Sequence, residues 1–325
     1  MTRLTRQAGC AAALLLMLLV GPGERMMEGT ADWQEQAQRG TYSCPMHPDV
    51  RSATAGTCPR CGMPLVLADP LAMREYPVEI RTEPHPPAAG RPVRLRITVR
   101  DPDTHEVVAD FEEVHEKRFH LFVISHDLTH YDHLHPEQER DGVWVLDAVL
   151  PRPGFYKLFA DFLPQGGTPQ VIPHSLVTSG FSGDLASSAA RLVPDAELKV
   201  RVGGMLVELV LPEGGLVAGR DEKLLYVLAD ARTGAPITDV EPYLGAWGHT
   251  LIMSEDTLHV VHAHPLELLP PESGARGGPR LTFKALLPKP GMYRIWSQIS
   301  RRGEVQTTVF TVRVQSPTIQ RLPRP

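Results

Sequence analysis

The chain contains one unit twice, and that duplication limits what it can fold into more than any other feature. Residues 78–136 and 207–265 align without a gap at a constant offset of 129, and 17 of the 59 paired positions are identical. Val78-Glu79 falls on Val207-Glu208, Ala89-Gly90-Arg91 on Ala218-Gly219-Arg220, Asp101 and Thr104 on Asp230 and Thr233, and Asp110 on Asp239. The match resumes at an offset of 137, where Leu150-Pro151-Arg152-Pro153-Gly154-Phe155-Tyr156 falls on Leu287-Pro288-Lys289-Pro290-Gly291-Met292-Tyr293. The polar, glycine-rich stretch around Pro271–Pro279 takes up the difference as a loop. A repeat of this kind predicts two like domains rather than one large one.

Within each unit the apolar residues alternate. Val93-Arg94-Leu95-Arg96-Ile97-Thr98-Val99 places every second side chain on one face, the pattern of a half-buried strand. Further strand-like runs cover 120–125, 144–150, 155–162 and 171–178, then 224–229, 250–254, 281–287, 293–299 and 305–314. The chain's 31 prolines and 27 glycines fall at short intervals between these runs and act as turns. About seven short strands per unit predict an all-β fold: two immunoglobulin-like or cupredoxin-like β-sandwiches. We place them at residues 74–180 and 197–314, joined by the Ser/Ala-rich 181–196. Tyr156 and Tyr293 each follow a Pro-Gly turn and are expected to lock a corner through a backbone hydrogen bond.

The histidines outlast the divergence of the two units. His120, His130, His133 and His135-Pro136 fall on His249, His259, His262 and His264-Pro265. In a His-x-His pair on a strand both imidazoles point to one face. If the preceding strand pairs with it around Asp127 or Asp256, a third imidazole arrives on the same face. We therefore expect an imidazole site at His120, His133 and His135, mirrored at His249, His262 and His264, of a kind that suits Cu(II), Zn(II) or Ni(II). His130 and His259 have the wrong parity; they reach the site through a bulge or lie on the opposite face. Asp127, Asp256, Asp110 and Asp239 read as turn formers or as partners for imidazole N–H groups. His85, His105, His115 and His126 occur only in the first unit and read as solvated side chains. His126 raises the local histidine density, so the first site is expected to bind more tightly.

A separate motif precedes the repeats. Thr41-Tyr42-Ser43-Cys44-Pro45-Met46-His47-Pro48 is followed by a short loop and Cys58-Pro59-Arg60-Cys61-Gly62-Met63. The C-x2-H and C-x2-C spacings offer Cys44, His47, Cys58 and Cys61 to one four-coordinate ion. Met46 and Met63 add thioether sulfur, which suits Cu(I) and could replace His47 around that ion. Through Tyr42, Cys44 to Pro48, Cys58, Pro59 and Cys61 to Met63, the stretch resembles the small heavy-metal-binding domain of copper- and silver-transporting P-type ATPases and of some periplasmic efflux adaptors. The resemblance implies a zinc-ribbon-like metal-binding module at 41–67. The repeats, through Gly-His, His-x-His-Pro and a closing Pro-Gly-x-Tyr strand, resemble domains of exported bacterial proteins that accompany copper-handling modules.

The first residues, Met-Thr-Arg-Leu-Thr-Arg-Gln, precede an apolar run over 8–20 and then Gly-Pro-Gly. A basic start, a short apolar core and a breaker describe a secretory signal segment over 1–25; an uncleaved N-terminal anchor, and with it a membrane tether, fits the same residues. Three cysteines then follow in an exported chain, an odd number that favours metal ligation over a disulfide framework. The net charge of −5 and the lack of a basic stripe give nucleic-acid binding no support. Together these features describe a periplasmic or otherwise extracytoplasmic metal-binding protein, not an enzyme. It would hold copper, as Cu(I) at the Cys/His module and Cu(II) at the histidines, with zinc the alternative metal. Its task would be buffering the metal or passing it to an efflux transporter. The competing readings are a copper-dependent oxidoreductase and a structural or adhesion protein with a zinc knuckle. Neither sandwich has the Cys, His and Met order of a blue-copper site.

Overall fold

The computed structural model describes residues 41–45, 50–60, 63–67, 74–270 and 274–317. His47, Cys61, Met46 and the N-terminal segment lie outside the described residues. Those from Thr41 onward belong to one compact unit. No helix occurs among them, and the fold is all-β.

The stretch that carries the Cys/His motif forms a three-stranded sheet of β1 (Tyr42–Ser43), β2 (Arg51–Ser52) and β3 (Val66–Leu67), in the order β2-β1-β3. The first sandwich comprises β4 (Val78–Glu83), β5 (Pro92–Val99), β6 (Phe119–Ser125), β7 (Tyr131–Leu134), β8 (Glu137–Gln138), β9 (Trp144–Val149), β10 (Phe155–Phe162) and β11 (Gln170–Val177). The second runs through β12 (Lys199–Val202), β13 (Met205–Val210), β14 (Leu216–Val217), β15 (Asp221–Asp230), β16 (Val240–Glu241), β17 (His249–Ser254), β18 (Val260–Ala263), β19 (Arg280–Leu286), β20 (Gly291–Arg301) and β21 (Glu304–Gln315).

The duplication survives in the topology. One sheet of the first sandwich has the order β4-β5-β9-β8 and the other β11-β10-β6-β7; their counterparts are β12-β13-β15-β19 and β14-β21-β20-β17-β18. At the sequence offsets, β5 corresponds to β15, β6 to β17, β7 to β18, β10 to β20 and β11 to β21. Tyr156 Oη donates to the Arg152 carbonyl at 2.8 Å and Tyr293 Oη to the Lys289 carbonyl at 2.9 Å, so both expected tyrosine corners are present.

The two sheets of each sandwich carry different sequence patterns, for a physical reason. Along β5 the burial alternates, with Val93, Leu95, Ile97 and Val99 in the core and Arg94 on the outer face. Along β6, Phe119 to Ser125 are buried without exception, and so are His249 to Ser254 of β17. These strands have two covered faces. Leu121 and Val123 point into their own sandwich core. Phe122, Ile124, Leu128 and Phe159 form a separate cluster with Leu251, Met253 and Trp296 of the other sandwich. The cluster is made of equivalents: Phe122 corresponds to Leu251, Ile124 to Met253 and Phe159 to Trp296. Two copies of one sheet face thus close on each other with an approximate two-fold relation. Tyr131 stacks on Trp296 across the junction, with centroids 5.1 Å apart and planes 9° from parallel.

Trp296→Ala should therefore lower the unfolding free energy by about 3–5 kcal/mol, the cost of a large cavity in a packed core. Urea denaturation measures this, and a loss below about 0.5 kcal/mol would show that the faces are not packed together.

Candidate metal centre at the sandwich junction

Of the retained histidines, His120, His133, His135, His249, His262 and His264 gather at this junction. In the first sandwich the β6–β7 ladder sets Leu121 opposite Leu134 and Phe122 opposite His133. His120, His133 and His135 therefore share the outer face of the sheet, the face that meets the other sandwich. The turn that creates the ladder is built from Asp127. Its carboxylate accepts from Ser125 Oγ and from the Thr129 N–H, while Leu128 takes φ 56°. Asp256 repeats this with Ser254 and the Leu258 N–H. Both aspartates are turn formers.

The nitrogens of His120, His133 and His135 lie within 4.8 Å of one another. A second group of three is formed by His249, His264 and His115. His262, expected there, has its Nε2 3.3 Å from His249 Nδ1. It turns Nδ1 to the Asp161 carboxylate of the other sandwich at 2.9 Å. The reciprocal contact joins His133 Nδ1 to Gln298 Oε1 at 2.9 Å. Asp161 and Gln298 are equivalents at the 137 offset, so each copy's His-x-His strand is oriented by its partner's long strand. Rings of the two groups adjoin: His120–His262, His133–His249 and His133–His262 all have centroids 5.9 Å apart.

His115 corrects the sequence reading. It is buried, not solvated, and its ring stacks on His264 at 3.5 Å. It sits in a tight turn whose ends bridge at Val114 and Lys117 and whose central residues, His115 and Glu116, both take positive φ. The equivalent turn in the second sandwich, 243–246, has Leu244 and Gly245 there, with the same backbone signs. The only signal in the sequence was a histidine in one copy against a leucine in the other. The fourth imidazole thus goes to the second copy's histidines, and the extra density expected from His126 does not reach the first: His126 lies beside the Phe155 ring at the hairpin turn. His85 and His105 are exposed, as expected. His130 packs against the Tyr156 ring and pairs with Asp132 at 2.9 Å, outside both groups; His259 also lies outside them.

Hydrogen bonding fixes which nitrogens face inward. His120 Nε2–H donates to the Val114 carbonyl at 2.9 Å, which leaves Nδ1 as the lone-pair atom. His133 Nδ1 lies 2.9 Å from the Gln298 side-chain amide, and its Nε2 lies 3.0 Å from the His120 lone pair. The second group repeats the pattern. His249 Nε2–H donates to the Tyr243 carbonyl at 2.9 Å, so its Nδ1 faces His262 Nε2. Nε2 of His115, His135 and His264 are all buried with no hydrogen-bond partner. These inward nitrogens are placed to share a cation, and extra protons on His115, His120, His133, His135, His249 and His264 are disfavoured. Burial, then the neighbouring His262, His120 and His135, push His133 down to about 2. Burial, then His120, push His135 down to about 3. Burial above all holds His115, His249 and His264 well below the ordinary histidine range. Neutral imidazoles, inward lone pairs and outer N–H groups held by acceptors are the preconditions for a metal centre, and the residues present fit one.

In the module, Cys44 and Cys58 are both 1 % exposed and pack together with Leu65. The Cys58 N–H donates to the Met63 carbonyl at 2.7 Å, and the Cys44 N–H donates to the Val50 carbonyl at 3.2 Å. Their expected partners, His47 and Cys61, lie outside the described residues.

Fold and site together define a two-sandwich protein with paired histidine groups at the junction and a small metal-binding module ahead of them. The chain belongs to the family described as a domain of unknown function, DUF8832, whose model matches residues 72–179 and 200–316. Residues 41–66 match the heavy metal binding domain. No curated protein matches the chain. Among solved structures, the fibronectin(III)-like modules of Clostridium thermocellum CbhA are 12 % identical, with a TM-score of 0.21, covering 77 % of this chain and 100 % of theirs. A two-domain fibronectin type III segment of chicken tenascin is 11 % identical, with a TM-score of 0.20 and coverage of 74 % and 100 %. The Escherichia coli adhesin FdeC is 10 % identical, with a TM-score of 0.24 and coverage of 76 % and 67 %. Superpositions this loose carry no argument about the site.

The depressed histidines set a pH dependence. Unfolded, each ring titrates near its ordinary 6.5; folded, it resists protonation. Below 6.5 the unfolded chain binds protons that the folded chain refuses, so stability is full at neutral pH and is lost as pH falls toward the folded values. For His133 alone the loss at pH 5 is about 2 kcal/mol. Urea unfolding of metal-free protein at pH 7.5 and pH 5 tests this, and equal stability at both would contradict neutral buried rings.

Proposed function

We propose that this is an exported metal-binding protein that takes up copper, with zinc as the alternative, and buffers it or passes it to an efflux system outside the cytoplasm. The observation that carries the reading is the pair of buried histidine groups with lone pairs turned inward and N–H groups held outward. The heavy metal binding domain at 41–66 supports it independently. Thiolates in the module suit Cu(I), and the imidazoles suit Cu(II) or Zn(II). A binding role fits better than a catalytic one because His120, His133 and His249 are 2 %, 8 % and 1 % exposed. The cleft that reaches His120 holds only about 30 Å³, enough for a single water.

One observation favours a second reading, a copper-dependent oxidoreductase. The two groups adjoin instead of lying at opposite ends of the molecule, so their retention in both copies is what a single two-part centre would require. Oxygen consumption by copper-loaded protein with a reducing substrate would favour that reading over buffering.

The test is metal content. Full-length protein with His133, His135, His262 and His264 all changed to Ala should lose the metal bound at the junction and keep that of the module. A Cys58→Ser/Cys61→Ser variant should do the reverse. Elemental analysis after equilibration with Cu(I) or Zn(II) measures both, and unchanged uptake by the first variant would make the histidines structural.

A further inference from the structure

Two cavities connect the module to the junction. One, of about 250 Å³, is lined by Met63 of the module together with His115, His262 and His264. The other is a narrow cleft of about 30 Å³, enough for a single water. Pro45, the residue after Cys44, lines it with His115, His120, Asp161 and His262. Two residues of the module, Pro45 next to Cys44 and Met63 after the C-x2-C motif, therefore abut the same histidines. His115 lines both cavities, and its Nε2 is buried without a partner. It is also the one imidazole of the junction that the duplication does not explain.

We propose that the module and the junction exchange a single soft or borderline cation, Cu(I) or Zn(II), directly, with Met63 and His115 as the stepping ligands. This rests on the metal-binding reading above and adds a route to it. The chemistry is ligand exchange at constant oxidation state. The ion leaves the thiolates, which take up protons from solvent, and is received by neutral imidazole lone pairs that release none. The reverse transfer returns those protons. No oxidant or reductant is required. Met63 supplies a soft thioether donor between the thiolates and the borderline imidazoles. The Leu244 turn, equivalent to the His115 turn, has no ligand to offer, so the path reaches one histidine group first.

The test uses full-length protein and Co(II), whose thiolate charge-transfer and imidazole spectra differ. One equivalent is mixed rapidly with the protein in the presence of a metallochromic chelator that reports any ion released to solvent. In the wild-type chain the thiolate and imidazole signatures should interconvert without signal from the chelator. In Met63→Leu, which conserves volume, and in His115→Ala the interconversion should slow by roughly tenfold or more, with ion appearing on the chelator. Interconversion that always passes through the chelator, an ion that stays where it first binds, or unchanged rates in both variants would overturn the relay. Absence of any imidazole spectrum at saturating Co(II) would instead overturn the metal-binding reading of the junction. Thiolate and imidazole sites that both fill, yet exchange only through solvent, would leave that reading standing and remove the relay alone.

Discussion

Everything distinctive in this protein depends on two equivalent sheet faces closing on each other. A sandwich sheet ordinarily buries one face and wets the other, and β4–β5 and β13–β15 behave that way. The β6 and β17 sheets do not. Their outer faces carry Phe122, Ile124 and Phe159 in one copy and Leu251, Met253 and Trp296 in the other. Removing these from water joins the sandwiches, at roughly 1.5–3 kcal/mol for each large side chain fully buried. The same closure dehydrates the imidazoles at the end of the faces. Dehydration favours neutral rings, and neutral rings are the form that accepts a cation.

The reciprocal hydrogen bonds across the junction give that dehydrated cluster its direction. A buried imidazole must place its N–H on an acceptor or lose a hydrogen bond it had in water. His133 finds Gln298 and His262 finds Asp161, each on the other sandwich, while His120 and His249 find backbone carbonyls in the preceding turn. His120 and His249 thereby keep their Nδ1 lone pairs inward, and His133 and His262 turn Nε2 toward them. The equivalents differ in charge: Asp161 is a carboxylate and Gln298 a carboxamide. With His115 added on the His262 side, the two halves of the centre became unequal, as expected if one half receives an ion first.

The module sits where this inequality lies. Among the described residues, Cys44 and Cys58 pack with Leu65 in a small core, with Tyr42 and Val50 against it. So small a core contributes little stability, and structural metal sites commonly supply the remainder. Met63 and Pro45 line the junction cavities. A soft sulfur site and a harder nitrogen site are thus held against each other within one compact unit.

Much of this was legible in the chain. The constant offset announced two like domains, and alternation with Pro/Gly punctuation announced strands. The parity of His-x-His correctly placed His133 and His135 on one face with His120, because side-chain direction along a strand is a local property of the backbone. The C-x2-H and C-x2-C spacings of Cys44/His47 and Cys58/Cys61 announced the module, because short ligand spacings are local too. What the sequence could not express is which outer faces meet. An unbroken buried run such as Phe119–Ser125 says that both faces are covered, but not by what. The partner of His133 lies 165 residues away and that of His262 lies 101 away. His115 looked like a surface residue, because a turn with two positive φ angles carries no sign of what it touches. Only the packing of one sandwich on the other put its ring on His264. Periodicity records the direction of a side chain relative to its own strand; docking between domains depends on surfaces far apart in the chain, and only the tertiary structure decides it.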